Sequence, residues 1–343
     1  MKPHSSPFCF AVILSFFLGG CSETAPTQGE IQAPVQDSLA WLNQQILANP
    51  KSAIGYINRG EFHLRRGERG GALEDFALAV DADSTQLDIR HRLGEMRFDI
   101  QDFEGAVREW EASVVTDAQF TPALLSLAKV DLLLRSYDPA LQRINDALRV
   151  NDRLDEAYFL KGRLYLETGD TVTAVSSFQT AIEVNPGRYD VFIQLGLLYA
   201  AADEDLALEY FRTARSLRPN SIEALYDEAV YLQEHGIANP ARYRQSLDLY
   251  DRILELDATN ASAAFNKGFV FLEYLTQYDS AEYWFDQAIQ RLPYYHQAHY
   301  NRGLAIESQG RTEEALAAYD AALSFEPAYT PAAVAKGRVL NDR

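Results

Sequence analysis

Gly60, Gly94, Ala128, Gly162 and Gly196 stand 34 residues apart, and Ala229, Gly268, Gly303 and Gly337 carry the series on with small changes of step. Twelve residues after the first four come Ala72, Ala106, Ala140 and Ala174. Four residues later the side chain is large: Phe76, Trp110, Ile144, Phe178. Three later it is small again: Ala79, Ser113, Ala147, Ala181. A fixed period of this length means one small unit written many times, each unable to bury its apolar face without a neighbour. Two helices approach closely only where side chains are small. The Gly60 and Ala72 positions therefore mark a helix crossing within a unit, and the Ala79 position marks one with the next. The large residue fills the wider space beside the crossing. Pro186, Pro219, Pro293 and Pro327 close some units, where a residue without an N–H stops a helix. Helices of about 12–15 residues are marginal alone in water, so the neighbours must supply the burial.

This pattern resembles the tetratricopeptide repeat, a helix–turn–helix of 34 residues. The resemblance covers residues 36–343 and implies an all-α fold, a right-handed superhelical solenoid of about eight repeats with a half repeat at each end. The repeats are expected at 53–86, 87–120, 121–154, 155–188, 189–221, 222–260, 261–295 and 296–329. A lone second helix is expected before them, over 36–49, and a lone first helix after them, from Thr330. Some units depart from the pattern. The third has Ala128 in place of Gly, and the sixth has Ala229 and Ser246. Repeat five is one residue short, repeat six is five longer and repeat seven one longer. The extra residues of repeat six lie in Glu234–Arg244, where Asn239-Pro240 has the form of a helix start, Asn as cap and Pro in the first turn. Two readings stand for this insertion: a second helix lengthened by a turn, or a projecting contact element.

The beginning of the chain has a different character. Lys2 and His4 precede an apolar run, Phe8 to Leu18, which is shorter than the roughly 20 residues that span a bilayer as a helix. A charged start, a short apolar run and then small residues read as a secretory signal. Leu18-Gly19-Gly20-Cys21 resembles the lipobox of bacterial lipoproteins. That resemblance implies a signal peptide over 1–20, cleavage before Cys21, lipidation of its thiol, and a flexible tether over 21–35. An ordinary signal peptide with a chance Cys is the other reading. Ser22 after the Cys resembles the outer-membrane sorting rule of enteric bacteria, which implies an anchor facing the periplasm. Cys9 and Cys21 are the two cysteines, so no disulfide framework is expected.

The chain carries 49 acidic against 31 basic residues, a formal charge of −18, which repels nucleic-acid phosphates. Neither a His-Glu-x-x-His, a Gly-x-Ser-x-Gly nor a phosphate-binding Gly-x-x-x-x-Gly-Lys is present. His296 and His299 lie three apart without a suitably spaced third ligand. Asp81-Ala-Asp83-Ser-Thr85 begins like a calcium loop but has Gln86 where Gly is required and Arg92 where Glu is required. No catalytic residue, metal or cofactor is expected.

The resemblance implies that the first helix of each repeat lines a concave groove, with its fifth residue and often its ninth turned into it. Fifth positions are Ile57, His91, Leu125, Phe159, Ile193, Tyr226, Phe265 and Tyr300, apolar or aromatic from repeat three onward. Phe269 and Leu304 add to them at ninth positions, with Leu132 and Leu133 from repeat three. The candidate partner-binding residues are thus Leu125, Phe159, Ile193, Tyr226, Phe265, Phe269 and Tyr300. Either they form an apolar lane for a partner segment, or they pack against neighbouring helices as core. The Lys/Asn clamp with which some members of the family grip a C-terminal carboxylate does not carry over: repeat one has Ile57 and Glu61 at its two positions, and repeat seven has Phe265 and Phe269. The expected function is a non-enzymatic, lipid-anchored scaffold of the bacterial envelope with a protein or peptide partner. The alternative is a dedicated subunit of an envelope assembly or secretion machine.

Overall fold

The computed structural model describes residues 38–237 and 239–341. The expected signal peptide over 1–20 and the expected lipidated Cys21 with its tether over 21–35 lie outside the described residues. Among the described residues every regular element is helical. The chain divides into two compact units, the first ending at Asp83 and the second beginning at Ser84, where one continuous array was expected.

In the first unit, α1 (Leu39–Ala48), α2 (Ala53–Arg65) and α3 (Arg69–Ala82) form a lone helix and a pair. Ser38 caps α1 through its hydroxyl and the Trp41 N–H. Arg59 on α2 holds the buried Asp75 on α3 at 2.6 Å and donates to Asn43 on α1 at 2.7 Å, so one guanidinium fastens all three helices. Asp81 lies inside α3 and Asp83 ends it, so this stretch is helix rather than an ion-binding loop.

The second unit is a run of pairs: α4 (Leu87–Asp99) with α5 (Phe103–Thr116), α6 (Thr121–Leu133) with α7 (Tyr137–Val150), α8 (Asp155–Glu167) with α9 (Thr171–Val184), and α10 (Tyr189–Ala201) with α11 (Leu206–Leu217). Then come α12 (Ile222–Glu234) with α13 (Ala241–Leu256), α14 (Ala261–Phe269) with α15 (Tyr278–Arg291), α16 (His296–Ser308) with α17 (Thr312–Phe325), and α18 (Thr330–Asn341). The core is continuous across neighbours: one cluster joins α6, α7 and α8, another α10, α11 and α12, another α12, α13 and α14.

The small–large pairing of the sequence is the crossing within each pair. A Cβ added to Gly94 would lie 2.3 Å from Trp110 Nε1, and one on Gly162 or Gly196 would lie 2.5 Å from Phe178 or Phe211. Repeat three resolves its departure here, because Ala128 and Ile144 are both fully buried: a smaller partner leaves room for the methyl. Where the large residue has a polar tip, the tip finds an acceptor. Trp110 Nε1 donates to the His91 carbonyl at 3.2 Å, the Tyr250 hydroxyl to Gln233 at 3.0 Å and the Tyr319 hydroxyl to Glu307 at 2.5 Å. Ion pairs add order between repeats. Arg302 on α16 reaches back sixteen residues to Asp286 at 2.6 Å, and Lys267 and Lys336 do the same with Asp251 and Asp320. At α12 the polarity is reversed: buried Glu228 is held by Arg215 at 2.5 Å and Arg212 at 3.5 Å.

Seven of the turns inside pairs use one left-handed residue. Gly67, Gly169 and Gly310 supply it without strain, whereas Gln101, Arg135, Asp203 and Thr276 adopt positive φ with a side chain.

The two lengthened repeats meet. The helices flanking the insertion are tied to the turn before α11: Arg242 binds Asp205 at 2.7 Å, His235 binds Asp203 at 2.8 Å, and the Tyr231 hydroxyl donates to the Glu204 carbonyl at 3.1 Å. α13 is 16 residues against 14 for most second helices, so the insertion also lengthens the helix. Pro240, already helical at φ −59 and ψ −16, takes the cap position, and Asn239 accepts from the Ala241 N–H. The extra residue of repeat seven is absorbed as a π-helical segment, Val270–Tyr274, continuing α14. Tyr274 from this segment stacks on Tyr243 of α13 at 4.7 Å.

Candidate partner-binding face

The first helices of the second unit, α4, α6, α8, α10, α12, α14 and α16, are joined to one another by side chains. The His91 ring bonds Ser126 at 2.9 Å, and Lys129 pairs with Glu156 at 2.7 Å. Arg188, just before α10, reaches back to Asp155 at 2.8 Å and Glu156 at 2.5 Å while holding Asp190 at 3.2 Å. Tyr189 bonds Ser221 at 2.7 Å and donates to Glu223 at 2.9 Å, and Asn266 donates to the Tyr226 hydroxyl at 2.9 Å. The face is thus crossed by polar ties rather than being uniformly apolar.

These ties shift the ionisations. Burial opposes the charge of Arg188, but its bonds to Asp155 and Glu156 outweigh burial and raise its pKa. Burial pushes the Glu156 carboxyl up, but Lys129 and Arg188 hold it below its usual range. Burial lowers the pKa of His91. Asp227 differs: burial first, and Glu223 second, push its carboxyl up to about 6, and no cation faces it among the described residues.

The apolar candidates separate into three groups. Leu125 and Ile193 are 8% and 2% exposed and belong to the core clusters around α7 and α11. They leave the candidate surface because their side chains are taken up in those clusters. Phe159 is half-buried and covered by the Arg188 guanidinium at 4.4 Å from the ring centre. Tyr226, Phe265, Phe269 and Tyr300 remain half-buried, with one face packed. Phe265 and Phe269 stack at 6.4 Å, Phe265 meets Tyr295 at 5.0 Å, Phe269 meets Tyr274 at 6.0 Å, and Tyr300 meets Tyr329 at 5.5 Å. An aromatic run therefore spans α14 to α16, with Tyr226 of α12 tied to it through Asn266. Leu132 is core, while Leu133 lines an apolar cavity of about 590 Å³ with Phe98, Phe103, Val107, Val130 and Leu134. His299 bonds the Pro293 carbonyl at 2.9 Å and His296 packs on Tyr329 at 4.8 Å, so the two rings do not converge.

The polar ties are what the fifth-position reading missed. Their signal was the second position of the first helices, acidic in three successive repeats at Glu156, Asp190 and Glu223.

Family models described as tetratricopeptide repeat match residues 155–188 and 272–333. The chain is 28% identical over 153 residues to anaphase-promoting complex subunit 3 of Schizosaccharomyces pombe, covering 43% of this chain and 21% of that protein. It is 26% identical over 247 residues to the peroxisomal targeting signal receptor of Candida albicans, covering 66% of this chain and 39% of that protein. It thus spans well under half the length of these curated relatives. Among solved structures, PilW, a type IV pilus biogenesis factor, is similar in fold with a TM-score of 0.50 at 15% identity, over 63% of this chain and 98% of that one. The matched repeats, the helix pairs and the small–large crossings agree, and the chain carries tetratricopeptide repeats in an all-α fold.

Proposed function

We propose that this chain is a scaffold of a bacterial cell envelope, anchored by lipid at Cys21, that holds a segment of a partner protein on the face made by its first helices and performs no reaction. The observation that carries the binding assignment is the half-buried aromatic run from Tyr226 to Tyr300, which keeps solvent-facing rings on a rigid array. The anchor rests on Leu18-Gly19-Gly20-Cys21, and no helix among the described residues is long and apolar enough to cross a membrane. Several acyl chains, at about 0.8 kcal/mol per buried methylene, hold a protein at a bilayer.

Membrane fractionation of the Cys21→Ala variant tests the anchor. The variant is expected in the soluble fraction, and unchanged sedimentation with membranes contradicts the assignment. Phe265→Ala with Tyr300→Ala tests the face: loss of partner capture with a retained helical melting transition supports it, and a collapsed transition with capture intact refutes it.

A further inference from the structure

The same face is built in two ways along its length. At α8 and α10 the aromatic rings carry cations from the chain itself. Arg188 lies over Phe159 at 4.4 Å, among Asp155, Glu156 and Asp190, and Arg218 lies over Tyr189 at 4.1 Å, whose hydroxyl is bound to Glu223. Arg188 is thus held between a ring and carboxylates, an arrangement that combines cation–π and charge attraction, while Arg218 rests on its ring. At α12 and the end of α14, Tyr226 and Tyr274 carry no such cation among the described residues; the cation of α14, Lys267, lies instead over Trp284 and pairs with Asp251. Tyr226, Phe269 and Tyr274 are half-buried; Asp227 follows Tyr226 on α12, Glu234 and Glu273 lie near Tyr274, and none of the three acids has an ion pair among the described residues. Glu234 and Glu273 both lie within electrostatic reach of Tyr274, and Glu273 reaches Tyr300.

Resting on the scaffold reading above, we infer that the partner segment is cationic and amphipathic, placing Lys or Arg side chains over Tyr226 and Tyr274 between Asp227, Glu234 and Glu273, and apolar side chains on Phe265 and Phe269. A partner cation over Tyr226 supplies the contact that Arg188 makes with Phe159, the ring at the same fifth position. Charge complementarity selects this occupant. An acidic segment would add charge to a face with three unneutralised carboxylates, and a purely apolar one would desolvate them without return.

The test uses the full mature chain and two labelled amphipathic probe peptides, one of Leu and Lys only and one of Leu and Glu only, followed by fluorescence anisotropy. The Leu/Lys probe is expected to bind and the Leu/Glu probe not to. Combined Asp227→Asn, Glu234→Gln and Glu273→Gln should weaken the Leu/Lys probe by roughly tenfold or more and flatten its salt dependence. Neutralising three exposed second-helix acids, Glu111→Gln, Glu209→Gln and Asp248→Asn, should leave it within about twofold, which separates the site from the general attraction of an acidic protein. Binding of both probes alike, binding of neither, or equal loss in the two triple variants overturns the inference. Photocrosslinking of a native partner from position 269 reads the scaffold assignment separately, so either can fail without the other.

Discussion

A Cβ on Gly303 would lie 2.5 Å from Tyr319 Cε1, whereas one on Gly337, at the same place in the next unit, would meet nothing within 4 Å. The two glycines share a register but not a neighbour, because α18 has no second helix packed on it among the described residues. Gly303→Ala is therefore expected to destabilise by about 1–3 kcal/mol through overpacking. Gly337→Ala is expected to stabilise by roughly 0.5–1 kcal/mol through helix propensity. Denaturant midpoints of the two variants measure the signs; matching signs contradict the packing account.

Ala128 and Ile144 make the converse case. If the methyl is tolerated because the partner is small, Ile144→Phe alone costs about 1–3 kcal/mol, and adding Ala128→Gly recovers part of it. A double-mutant cycle on unfolding free energies reads the coupling. Strict additivity would mean that the two positions are not the same crossing.

Much of this was legible in the sequence because close helix contact leaves a periodic trace: where Gly94 meets Trp110, only a small residue fits. The turns follow a different rule: Gly67, Gly169 and Gly310 suit a positive φ, whereas at Thr276 a β-branched residue takes φ 51 and gives no such signal. The candidate face was less so. Position five was read as one environment, yet Ile193 sinks into the core while Tyr226, with a hydroxyl to satisfy, stays at the surface and bonds Asn266. Bonds such as Arg188 to Asp155 join residues 33 apart, so the acidic second positions mark where ties form without naming their partners. The division at Asp83 left no mark in the period either.

Thr276 predicts a stabilising exchange. A left-handed conformation costs a non-glycine residue about 1–2 kcal/mol, partly offset by the greater freedom that glycine has when unfolded. Thr276→Gly should therefore raise stability by roughly 0.5–1 kcal/mol, while Thr276→Val should give no gain. A lower denaturant midpoint for the glycine variant would show that the hydroxyl contributes more than the strain removes.

Asp227 predicts a pH effect of definite sign. Its carboxyl is pushed up to about 6 by burial and then by Glu223, against about 3.9 for an unfolded Asp. Between these values the folded chain holds a proton that the unfolded chain has released. Stability falls as pH rises from about 4 to about 6 and stays lower above. Asp227→Asn should remove this fall and stabilise at neutral pH by about 1 kcal/mol, allowing for partial exposure. Parallel stability–pH curves for the two proteins would contradict it.

The most direct measurement places a photocrosslinking amino acid at position 269 in the native cell, with a matched one at position 172, exposed on the second helix α9. The account predicts a discrete protein adduct from 269 and none from 172. No adduct from 269, or the same adduct from both, would contradict the claim that the first-helix face is where this chain holds its partner.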